Sequence, residues 1–225
     1  MKVSVTRKEF KNFLEGIDNE TLLKHIYLRA VNKNNHEEEV ISFPTAIDDI
    51  VLEAYLSTTI EADDDEYLIG MAATKDILNV IKEGMPMPEL YFTALENTRR
   101  DNVLVTIDEL YEKKFGRDQA LFNPSLYKCF TTMNMQFGAV HAFFPDTLKD
   151  IADKVGDDLY ITFPSIHEFI CHPVEATLSG GITKKDLYEI LRETIAEATM
   201  DNDILSRSVF HYDRTKHMLT EVYKG

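Results

Sequence analysis

Between Asp158 and Pro173 the chain reads DLYITFPSIHEFICHP, two alternating apolar runs joined at a Pro-Ser pair, and a stretch of this kind has few ways to fold. Leu159, Ile161 and Phe163 alternate with Tyr160 and Thr162, the period-two pattern of a strand with a buried face, and Pro164 and Ser165 are turn residues. In the strand that resumes after them, Ile166, Glu168, Ile170 and His172 share one face, and His167, Phe169 and Cys171 share the other. Both faces are largely apolar, so Glu168 is expected between two isoleucines, where an unpaired carboxylate costs several kcal/mol or takes up a proton. Such a group needs a partner or a purpose.

The expectation is therefore a site at this turn. His167 would serve as general base, with Glu168 or Ser165 as orienting group or acid, and Pro164, Ile166, Tyr160 and His141 as binding residues around them. His167 and Glu168 point to opposite faces of a strand, so their side chains meet only where the backbone turns. A helix here would suggest the zinc motif H-E-x-x-H, but the second ligand position is Cys171, and His172 falls one residue late. With Pro164 and Pro173 bracketing phenylalanines and isoleucines, the segment reads as strand and no metal is assigned. The competing reading is a buried, hydrogen-bonded His and Glu that only hold the sheet together.

Composition narrows the function classes. The 39 acids against 24 lysines and arginines give a net charge of -15, which disfavours direct nucleic-acid binding and attraction to a membrane surface. No apolar run approaches the roughly 18 to 20 residues that span a bilayer, and the N-terminal MKVSVTRKEFKNFLEG lacks a secretory core. Cys129 and Cys171 both sit in apolar runs, so a disulfide framework is not expected and a cytoplasmic address is. A chain of 225 residues needs no staples to bury a core.

Helical spacing dominates the first half. Thr6 opens a run that Gly16 ends, and Leu22, Leu23, Ile26, Tyr27, Ala30 and Val31 form the next. Ile47, Ile50, Val51, Ala54, Tyr55 and Leu56 form a third, and EADDDE at residues 61–66 reads as a solvated acidic loop. Thr74 with Ile77, Leu78 and Ile81, Pro86 and Pro88 with Leu90, Tyr91, Ala94 and Leu95, and TIDELYEKKF complete the helices. From Ser125 the texture turns to hairpins: Leu126–Asn134 with Gln136–Phe144, the central pair, and Ser206–Tyr212 with His217–Tyr223. A helix after Pro145 and Asp146 and another capped by Thr183 and Asp186 separate them. The fold class expected is α+β, one domain over 1–225. Its N-terminal helical portion (about 1–120) packs on a C-terminal antiparallel sheet of about six strands with two intervening helices (about 121–225).

Taken together, PMPELYFTALENT, TIDELYEKKFG, FGAVHAFF, PDTLKDIADKVGDD, YITFPSIHEFICHP and SVFHYDRTKHMLTEV occur in a distinctive order. The chain resembles an uncharacterised domain-of-unknown-function family of gut Firmicutes and their mobile elements, whose members share a D-L-Y-I-L-P-S-S-I-H-E core. The likeness covers residues 71–223 and reaches back more loosely to about residue 20. It implies a cytoplasmic bacterial or phage-type protein and directs attention to Ser165, Ile166, His167 and Glu168. Here Phe163 and Pro164 precede a single Ser165 where two serines are usual, and the family brings no activity to transfer.

The chain carries no phosphate-cradling glycine loop, dinucleotide fingerprint or nucleophile elbow, and no cofactor is expected. The leading expectation is an acidic binding or regulatory protein acting on a macromolecular partner, a protein with a basic surface, such as an inhibitor of a host-defence or nucleic-acid-binding protein. The alternative is a hydrolase or transferase using a His/Glu site at residues 164–168. Edge strands of the terminal hairpins leave a homodimer open.

Overall fold

The computed structural model describes residues 19–62, 65–75, 86–116 and 127–225. The helices expected over Thr6 to Gly16 and from Ile77 to Ile81 lie outside them.

The first correction concerns the N-terminal half, which is mixed rather than helical. A short helix α1 (Asn19–Lys24) gives way to strand β1 (Ile26–Asn32), and the third expected helix is the long strand β3 (Ile50–Ala62). Positions four apart, such as Leu22, Ile26 and Ala30 or Ile50 and Ala54, satisfy a helix and a strand alike. What decides is Leu28, which a helix would turn aside and which alternation buries with Ile26 and Ala30. β3 is the spine of a four-stranded antiparallel sheet. β1 runs along one edge of it, and β2 (Ser42–Pro44) and then β4 (Asp65–Ala72) follow along the other. Of the acidic run expected as a loop, Glu61 and Ala62 end β3 and Asp65 and Glu66 begin β4, so these four are paired strand residues.

Helix α2 (Met87–Asp101) closes the open edge of β1. Leu28 N–H donates to Thr98 Oγ1 at 2.8 Å, and Asn97 Nδ2 donates to the carbonyls of Ile26 at 2.9 Å and Leu23 at 2.6 Å. Edge groups that would otherwise invite another strand are thus satisfied by side chains.

The second sheet has six antiparallel strands in the order β10-β9-β7-β8-β6-β5. These are β5 (Leu104–Thr106), β6 (Lys128–Thr132), β7 (Leu159–Ser165), β8 (Glu168–Pro173), β9 (Ser208–Asp213) and β10 (Met218–Lys224). Helix α3 (Ile107–Phe115) follows β5 and α4 (Thr147–Val155) precedes β7. The short α5 (Val174–Ser179) and the longer α6 (Lys184–Ala198) lie between β8 and β9. The capping box of Thr183 and Asp186 forms as expected, whereas Ile190 and Ala198 on α6 are exposed rather than inward.

The strand expected over Gln136–Phe144 is instead a 3-10 segment, Gly138–Phe143, and β5 takes the sixth place. All residues of this 3-10 segment but His141 are small or apolar because it is wedged between β1, β6 and β8, and a segment buried all round shows no period. Met135 and Phe137 adopt left-handed φ values of 56° and 55°, which break the strand before it can pair. A Cβ on Gly138 would come within 2.5 Å of the His167 carbonyl, so only glycine allows this approach.

One apolar cluster spans both sheets: Ile26, Leu28, Ile50 and Leu56 from one side meet Phe163, Phe169 and Phe210 from the other. On the far face of the six-stranded sheet, Tyr160 and Val209 pack against Leu187 of α6. The six-stranded sheet is thus covered on both faces. Among the described residues no helix is long and apolar enough to cross a membrane.

Candidate functional site

The central hairpin forms, with its turn two residues later than expected. β7 continues through Pro164 to Ser165, and Ile166 and His167 make the turn. Phe163 and Pro164 together stand opposite Phe169, because the register slips between Thr162 and Ser165. This bulge, and the end of β9 pairing at Thr162, tolerate a proline that has no N–H to give the ladder.

Ser165 ties the turn together. Its Oγ accepts from His167 N–H at 3.0 Å and donates to Glu168 Oε1 at 2.7 Å. His167 turns the other way: its Nδ1 accepts from Phe137 N–H at 3.2 Å, so the ring proton sits on Nε2, 3.7 Å from Asp203 Oδ2. The His167 carbonyl accepts from Gly138 N–H and Thr131 Oγ1, both at 3.0 Å. His167 therefore pins the 3-10 segment to the hairpin, while Glu168 faces the α6 side. The two do not share a site.

The expected binding residues are also distributed. Ile166 is buried in the main core and Pro164 lines the α6 side. Tyr160 lies under α6, with the Lys184 ammonium 5.8 Å from its ring centre. His141 is buried on the 3-10 segment against Phe144, and its Nε2 has no hydrogen-bond partner. Burial pushes it down to about 4, against the opposing pull of the Asn102 carbonyl.

Glu168 opens into a cavity of about 420 Å³ between the six-stranded sheet and the helices α3 and α6. Cys129, Thr162, Glu168, Ile170 and His172 form its floor. Leu187, Ile190, Leu191 and Thr194 of α6 form its roof, with Ile107 of α3 at the side. Burial, reinforced by Glu168 and Asp108, raises the Cys129 thiol to about 12, which keeps it protonated and unreactive. Burial holds His172 at about 4, so its imidazole is neutral. Among the described lining residues there is no lysine or arginine, and the Glu168 contact is the neutral Ser165 hydroxyl.

A family model, the family of unknown function DUF5688, matches residues 7–214. The chain belongs to this family. No curated protein and no solved structure matches it.

In this DUF5688 chain Glu168, Ile170 and His172 share the face that floors the cavity, as alternation implies, whereas Ile166, expected beside them, lies in the turn and is buried in the main core. Cys129 and the α6 residues come from distant segments, and only strand pairing brings them to Glu168. His211, Asp213 and His217 of the terminal hairpin each make a different contact. His211 Nε2 lies 3.0 Å from Asp158 Oδ2, Asp213 pairs with Lys216, and His217 faces the Tyr212 hydroxyl. Among the described residues no three His, Cys, Asp or Glu side chains converge as a metal set.

Proposed function

We propose that the protein is a binding protein for a small amphiphile, an apolar body carrying a primary ammonium group, held in the cavity beneath α6. The observation that supports this reading is the Glu168 carboxylate at the floor of an otherwise largely apolar enclosure that contains no cationic side chain among its described lining residues. A concave apolar site with few polar groups is the usual form of a small-ligand site. The single half-buried carboxylate selects a cation, because a charge partly withdrawn from water gains from an opposite one. Cys129 and His172, both neutral, add no competing charge. We assign His167 no general-base role, since its Nδ1 is occupied by a main-chain donor.

Thermal unfolding in the presence of octylamine, octanol or octanoate at equal concentration tests the proposal. Octylamine should raise the midpoint most, and a ligand at one hundred times its Kd stabilises by about 2.7 kcal/mol. Glu168→Gln should reduce the amine effect to that of the alcohol, and Ile190→Trp, which fills the mouth, should remove both. An unchanged order of the three ligands in Glu168→Gln would refute the reading.

The net charge of -15 supports a second reading, an acidic surface that docks a basic macromolecule. Its signature is capture of a polycation such as polylysine that weakens steeply between 50 and 300 mM salt, on the order of tenfold or more, and is indifferent to Glu168→Gln.

A further inference from the structure

We propose that Ser42, His36 and Glu53 form a nucleophilic acyl-transfer site on the four-stranded sheet, taking a carboxylic ester as substrate, separate from the cavity beneath α6. Pairing of β1, β3 and β2 sets Arg29, Glu53 and Ser42 in one row across three strands, on the face opposite the main core. Glu53 is only 2% exposed. Arg29 holds its Oε2 through Nε at 3.0 Å and Nη2 at 2.8 Å. The guanidinium is itself clamped over the Tyr55 ring at 5.0 Å and the Phe137 ring at 5.9 Å.

The other carboxylate oxygen, Oε1, lies 2.8 Å from His36 Nδ1. A carboxylate only accepts, so the imidazole proton sits on Nδ1 and the lone pair of Nε2 is turned to Ser42 Oγ, 3.3 Å away. Nucleophile, base and orienting acid thus stand in the order of a Ser-His-acid triad. His36 is fixed by the 3-10 turn before it, where its N–H donates to the Lys33 carbonyl at 3.2 Å and Asn32 caps the turn. Ala54 N–H donates to the Ile41 carbonyl, so Ser42 and Glu53 are a non-hydrogen-bonded pair, and the Ser42 N–H points away from β3, available to a developing oxyanion.

A structural bridge would explain less. Arg29 already neutralises Glu53, and the Ser42 hydroxyl adds nothing to that neutralisation. What it gains is a base. Ser42 Oγ attacks the ester carbonyl while its proton passes to His36 Nε2. The tetrahedral adduct expels the alcohol, which leaves with that proton as the C–O bond breaks. Water then attacks the acyl-serine, His36 takes its proton and returns it to Ser42 Oγ, and the carboxylic acid departs. Ester and water are consumed, and acid and alcohol are formed. Ser42 and His36 are the catalytic residues, and Glu53 and Arg29 are positioning residues.

A fluorophosphonate probe, which phosphonylates base-activated serines, tests this on the full chain by peptide mass spectrometry, beside hydrolysis of 4-methylumbelliferyl butyrate. The expected result is one adduct, on Ser42. It should be absent in Ser42→Ala and slowed roughly 100-fold or more in His36→Gln, with thermal unfolding of both variants unchanged, and ester hydrolysis should fall in parallel. Labelling should persist in Glu168→Gln, whatever the fate of amine binding. No adduct on Ser42 in folded protein, or labelling indifferent to His36→Gln, would overturn the proposal and leave the trio a structural bridge.

Discussion

Two histidines make the stability of this protein a function of pH. His141 and His172 are 4% and 8% exposed, and burial holds each near 4 against an ordinary value of 6.5. In the unfolded chain both take up a proton as the pH falls through about 6.5. In the folded chain they do not until about 4. The unfolded state therefore binds more protons in this window, and stability present above pH 6.5 is lost as the pH falls towards 4. The loss attributable to the pair should be on the order of a few kcal/mol. Urea unfolding of the wild type at pH 7.5 and 5.0, beside His141→Leu/His172→Leu, measures it. The variant should show the shallower decline, and equal declines would mean that both rings protonate in place. At this scale the sequence was partly legible. Alternation put Glu168, Ile170 and His172 on one face, because that geometry is local, and failed at Ile166, where the strand had already given way to the turn. Ser42, His36 and Glu53 were not legible as a set, since a loop, an edge strand and a central strand supply them and pairing register alone joins them. The one available signal was a lone acid in the run VLEAYL.

Elements were read well where a chemical stop accompanied the period. Thr183 with Asp186 and the left-handed Gly156 mark the ends of α6 and α4 where the sequence implies them, and the run TIDELYEKKF forms α3, which the structure shows capped by Thr106 with Glu109 and ended by the left-handed Gly116. They were misread where apolar residues recur every four positions, as in β1, or without interruption, as in the 3-10 segment. There the tertiary environment, a sheet edge or a wedge between sheets, decides. β1 illustrates the dependence, because its outer edge is satisfied by α2 side chains rather than another strand. Thr98 is fully buried, and its Oγ1 both accepts from Leu28 N–H and donates to the Ala94 carbonyl. Thr98→Val keeps the shape and removes the acceptor, leaving a buried N–H unpaired at a cost of about 1 to 3 kcal/mol. Chemical denaturation should show that loss, and the Leu28 amide should exchange faster with solvent by a matching factor. Unchanged exchange at Leu28 would mean that another acceptor has replaced the hydroxyl.

At the scale of the molecule, the division the sequence suggests near residue 120 is not a division of the core. Ile26, Leu28, Ile50 and Leu56 from before it share one apolar cluster with Phe163, Phe169 and Phe210 from after it, and Ala139 and Val140 fill the space between the sheets. Neither half can close its own apolar face, so removing one exposes large buried side chains of the other. The expected consequence is a single cooperative transition. Far-ultraviolet circular dichroism and tyrosine fluorescence, available because the chain has 10 tyrosines and no tryptophan, should give coincident urea curves. Fragments 1–120 and 121–225 should each be unfolded alone and regain structure when mixed. Separate transitions, or a fragment 121–225 that folds unaided, would make β6 to β10 an independent folding unit that does not need β5. The four-stranded sheet bearing Ser42, His36 and Glu53 would then be an appended module, free to lose its order without emptying the cavity beneath α6.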